Sequence, residues 1–92
     1  MLKEKYKKMF CVVREELNKA DPLGVVLENP NLCDEYDYEN QKILTIIDNC
    51  DNYTNLAEKM CEIFKESTKI NFLPEHFYES AKNILNRIKN LQ

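Results

Sequence analysis

The chain has one glycine, no tryptophan, one histidine and no C-x-x-C pair among its four cysteines. Each scarcity removes something. A β-rich fold of 92 residues needs several tight turns with positive φ, which glycine usually supplies, so a lone Gly24 argues against one. Phosphate-cradling loops and dinucleotide fingerprints need several glycines, and both are excluded. Structural zinc sites commonly draw two ligands from one short knuckle, and Cys11, Cys33, Cys50 and Cys61 are too widely spread for that. No metal site and no cofactor are expected, and the thiols should be reduced and largely buried, as small hydrophobes are. His76 has Glu75 and Glu79 beside it, but no spacing brings it a nucleophile and an orienting group. It reads as a solvated first-turn residue. No catalytic residue is assigned, and the chain is not expected to be an enzyme.

Long apolar runs are also missing. None approaches the roughly 18 residues that a membrane helix needs. The lysine-rich opening lacks the apolar stretch of a secretion signal, because Arg14, Glu15 and Glu16 interrupt it. A cytoplasmic protein with no membrane partner is the expectation. The formal net charge of −3 likewise disfavours nucleic acid, whose binders release counterions through a basic footprint.

What is present is helical periodicity. A chain of 92 residues makes one domain, 1–92, with 43% hydrophobic and 32% charged residues. Leu2, Tyr6, Met9, Phe10, Val13 and Leu17 trace one stripe of a first helix over about 2–19, ended by Asp21-Pro22. A second helix begins between Asp34 and Asp37 and buries Ile43, Leu44, Ile46, Ile47 and Cys50. A third spans about 53–68 with Leu56, Ala57, Met60, Ile63 and Phe64 inward. Pro74 opens a fourth, striped by Phe77, Ala81, Ile84, Leu85, Ile88 and Leu91. The expected fold is all-α: a compact bundle of four amphipathic helices with one irregular loop between the first two. In that loop Asp21, Pro22 and Gly24 are the structural residues. Asp21 should accept amides just beyond Pro22, and Gly24 should take a conformation other residues resist. Val25-Val26-Leu27 is read as extended, or as a loop pinned to the core.

Charge is unevenly spread. Residues 1–19 carry six basic and three acidic groups, and residues 52–92 carry six basic and five acidic. Residues 20–51 carry eight acidic groups against Lys42 alone, a balance of −7. Within that third lies Asp34-Glu35-Tyr36-Asp37-Tyr38-Glu39. Interleaved carboxylates and tyrosines suit a surface for a basic protein, the charges steering the encounter and the rings supplying contact area. The same residues also suit a helix start, with Asp34 or Asp37 as the cap and Tyr36 packed inward. The two readings are compatible.

Asp21-Pro22-Leu23-Gly24-Val25, followed by Glu35-Tyr36-Asp37, resembles the YugE-like family of small bacterial helical proteins of unknown function. That family shows the first motif after its first helix and the second at the start of its next. The resemblance runs from Leu17 to Ile47 by motif and over the rest by helical layout. It implies a helical cytoplasmic protein and no established activity. Similar arrangements occur among immunity proteins that neutralise toxins in interbacterial competition. The expected function is therefore non-catalytic protein binding, in its concrete form an immunity or antitoxin-like protein masking a basic toxin surface. The alternative is a housekeeping adaptor or regulatory subunit, self-associating or not, whose acidic segment only begins a helix.

Overall fold

Helical stripes become helices wherever an apolar face finds a partner, and they do so here along nearly the whole chain. A computed structural model describes residues 3–91, and no strand occurs among them. The order is α1 (Lys3–Ala20), α2 (Val25–Glu28), α3 (Asp37–Ile46, tightening into a 3₁₀ turn at Ile47–Asn49), α4 (Tyr53–Thr68) and α5 (Tyr78–Lys89, entered through a 3₁₀ turn at Pro74–Phe77). Leu2, expected on the first stripe, lies outside the described residues.

α1 packs against α5 and α3, and α4 packs against α5, α3 and the Pro74–Phe77 turn. The radius of gyration is 12.4 Å, which is what a compact chain of this length gives, about 12 Å. The core gathers Met9, Val12, Val13 and Leu17 from α1, Ile43 and Leu44 from α3, Leu56, Met60 and Phe64 from α4, and Ala81, Ile84 and Ile88 from α5. At its centre Phe64 stacks on Phe77 at 5.2 Å, and Phe72 meets both rings edge-on.

The helix ends follow local chemistry. α4 starts at Asn52, whose side chain accepts the Asn55 amide at 2.9 Å. α1 stops because Asp21 turns left-handed (φ +43°), its amide still bonded to the Leu17 carbonyl at 2.8 Å, with Pro22 unable to continue.

Two expectations need correction. Val25-Val26-Leu27 is neither extended nor pinned as a whole: it forms the single helical turn α2, with Val25 and Val26 against the core and Leu27 85% exposed. The cause is Asp21, whose two carboxylate oxygens take the Val26 and Leu27 amides at 3.1 and 2.8 Å, the amides a helix leaves unpaired at its start. The thiols are free but not largely buried. Cys11 and Cys33 are exposed, while Cys50 and Cys61 are half-buried, and there burial pushes the thiol pKa up. Cys11 sits on the outer edge of the α1 stripe and Cys33 in the loop, where no element covers them.

Gly24 is left-handed as expected, at φ +72°. A Cβ there would meet nothing within 4 Å, so any cost of substitution is conformational rather than steric. Gly24→Val should lower stability by about 1–3 kcal/mol, read as a lower melting temperature. An unchanged melting temperature would show that the turn has no need of glycine.

Candidate functional site

The two motifs singled out in the sequence meet in space. The Tyr36 hydroxyl donates to Asp21 Oδ1 at 2.6 Å and accepts the Leu23 amide at 3.1 Å. In the next residue Asp37 forms a two-point ion pair with Arg14 of α1. Near the end of α1 Asn18 donates to the Cys33 carbonyl at 2.9 Å, and near its start the Phe10 carbonyl accepts Asn40 at 2.9 Å. Residues 33–40 thus run antiparallel along α1, held at three levels, while Tyr36 reaches past the end of the helix to Asp21. Burial alone would raise the Asp21 pKa, but bonds from the Tyr36 hydroxyl and the Leu27 and Val26 amides hold it below the ordinary carboxylate range. Burial, and then the hydrogen bond to Asp21, push the Tyr36 phenol well above its usual value.

This interlock divides the acidic segment. Asp34, Glu35 and Tyr38 are exposed, Tyr38 at 55%, with the Lys42 ammonium 5.5 Å from its ring centroid. Tyr36 is 2% exposed and cannot contribute to a contact surface. Glu39 is buried as well, because the inward stripe of α3 steps from Tyr36 through Glu39 and Asn40 to Ile43 and Leu44. Asp37 is engaged by Arg14. Nor does an aspartate cap α3: the N-cap position is Tyr36, without a side-chain cap bond, and the Asp37 amide bonds to the Asp34 carbonyl at 3.1 Å. Asp37 stands one residue past the capping position, and its carboxylate pairs with Arg14 instead.

A second polar cluster was not anticipated. Glu16 lies on the buried side of α1 at 2% exposure, between Val12, Val13 and Leu17. Its carboxylate accepts Arg87 at 2.9 Å and Asn83 at 3.2 Å from α5, with Lys19 at 3.5 Å. Arg87 also binds Glu15. Burial raises the Glu16 pKa, but the Arg87 and Asn83 bonds outweigh it and the net shift is downward. The available signal was the spacing: Glu16 falls three residues after Val13, on the same face, and a charged group there needs a partner from another helix.

Comparison of the chain with protein-family models, with curated proteins and with solved structures finds no match.

Proposed function

We propose that the chain is a non-catalytic protein-binding module whose contact surface is the exposed part of the acidic segment, Asp34, Glu35 and Tyr38. The partner on this reading presents a basic surface, as a nucleic-acid-degrading toxin does, so an immunity or antitoxin-like role is the concrete form. One observation carries it: an exposed tyrosine beside two exposed carboxylates, in the third of the chain that holds the −7 balance. Aromatic rings are enriched among the residues that dominate binding energy, and exposed charges act on the association rate. Membership of the YugE-like family and a four-helix bundle arrangement of α1, α3, α4 and α5 belong to the same proposal. The paired motifs support the former, since the Tyr36 hydroxyl of one is bonded to Asp21 of the other. The adaptor reading is favoured by one observation, that Tyr36 is committed to the Asp21 loop and Asp37 to α1.

The test uses the partner recovered by affinity capture. Asp34→Asn with Glu35→Gln should slow association about tenfold at low salt and flatten its salt dependence, since such charges are screened within about 8–10 Å at moderate salt. Tyr38→Ala should act on dissociation, raising the off-rate about tenfold or more. If both variants bind as the parent does, the segment is a helix start and the surface lies elsewhere.

A further inference from the structure

A cleft of about 400 Å³ opens between the last turn of α1 and the start of α5. That is within the range of small-molecule sites, about 300–1,000 Å³. Its walls are mostly polar: Glu16 and Lys19 from α1 beside the apolar Ala20, then His76, Glu79, Ser80 and Asn83. Two of these, Glu16 and Ser80, are buried polar residues at 2% and 5% exposure.

The hydrogen-bonding capacity left over defines what would fit. Glu16 is already satisfied by Arg87, Asn83 and Lys19, so its charge is compensated within the protein. Ser80 donates its proton to the Phe77 carbonyl at 3.1 Å, which leaves only lone pairs on Oγ. Asn83 donates through Nδ2 to Glu16 and keeps Oδ1 as an acceptor. Glu79 is exposed and makes no ion pair among the described residues. One part of the cleft is therefore rich in acceptors, with one Asn83 Nδ2 hydrogen as its remaining donor. The other groups can donate. Lys19 is held only by its long contact to Glu16, and its side chain is 71% exposed. His76 Nδ1 faces the Leu73 backbone, 3.1 Å from its amide nitrogen and 3.2 Å from its carbonyl oxygen, so Nε2 is the ring nitrogen left for a ligand and donates in the tautomer whose Nδ1 accepts the amide.

An anion alone would answer Lys19 and His76 but face Glu79. A cation alone would answer Glu79, Ser80 and Asn83 but face Lys19. A ligand with both charges satisfies both sets. We propose that this cleft binds a free α-amino acid, its ammonium on Glu79, Ser80 Oγ and Asn83 Oδ1 and its carboxylate on Lys19 and the His76 Nε2–H. The volume leaves room for a side chain, and the site is independent of the acidic segment.

The experiment is a ¹H–¹⁵N NMR titration of the full chain with each of the twenty L-amino acids. At least one should give saturable shifts at the amides of Glu16, Lys19, Ser80 and Asn83. The amide and the N-acetyl derivative of that amino acid each lose one charge, and each should bind at least about tenfold more weakly, the loss expected for one charged hydrogen-bond partner. Glu79→Gln and Lys19→Met change exposed side chains and should leave the spectrum folded while weakening binding by a similar factor. No saturable shift up to about 10 mM overturns the proposal, since weaker binding is no stronger than nonspecific contact. Equal binding of either derivative, or parental affinity in both variants, overturns it as well.

Discussion

Tyr36→Ala is expected to cost about 3–5 kcal/mol, a large part of the stability of any small domain. The ring is 2% exposed and sits 5.9 Å from Phe64, at the edge of the aromatic centre of the core. Removing it leaves a cavity there and frees the loop from α3. Tyr36→Phe separates the two contributions. It keeps the packing but strips the hydroxyl from Asp21 and leaves the Leu23 amide without its acceptor, which should cost about 1.5–3 kcal/mol. Urea denaturation measures both. The pH dependence supplies a further check. The folded Asp21 pKa lies below its unfolded value, so its contribution is present above the ordinary carboxylate range and is lost as pH falls through the folded value. Tyr36→Phe removes one cause of that depression and should make stability less sensitive to acid below about pH 4. A Tyr36→Phe variant as stable as the parent at neutral pH would show that the two motifs touch without stabilising one another.

The helices were legible because their signals are local. Apolar spacing placed α1 and α4 within a residue, and α3 and α5 together with the 3₁₀ turns that end the one and open the other, and Pro22 and Pro74 marked a stop and a start that the chain uses. Gly24 and Asp21 were legible for the same reason, each being the residue its backbone position favours. What a single sequence does not carry is which polar group meets which across helices. Asp37 looked like a cap because it stands at a helix start, yet Arg14, 23 residues away, claims it. Glu39 looked like surface because it is charged, yet the stripe beginning at Tyr36 turns it inward. Val25-Val26-Leu27 looked extended because its residues are β-branched and apolar, and the Asp21 carboxylate overrides that preference by accepting two amides in succession. Within the acidic segment, long-range contacts decided the place of Tyr36 and Asp37, and the helical stripe that of Glu39.

Arg87→Met should destabilise the protein by about 2–3 kcal/mol at neutral pH. Breaking one side of a buried pair typically costs about 3–5 kcal/mol, because the remaining charge loses its compensation. The lower figure follows from two features: the Arg87 side chain is 39% exposed, and Asn83 and Lys19 stay beside Glu16. Methionine keeps much of the arginine stem's apolar contact, so the loss is mainly electrostatic. Acid distinguishes that cause from packing. In the parent, the folded Glu16 pKa lies below the unfolded one, so its contribution is present above about pH 4.3 and disappears as pH falls through the folded value. In Arg87→Met, burial acts against only Asn83 and Lys19, and the Glu16 pKa should rise above its unfolded value. The sign then reverses. Glu16 becomes a penalty above that range, relieved as protonation neutralises it, so the gap between parent and variant should be widest near pH 7 and narrow by about pH 4. Glu15→Gln serves as the control, since the Glu15 side chain is 60% exposed and its pairing with Arg87 should contribute little. Urea melts of the three proteins at both pH values would read the effect. A gap of equal size at both would assign the loss to the arginine stem and deny Glu16 its role as the charged tie between α1 and α5.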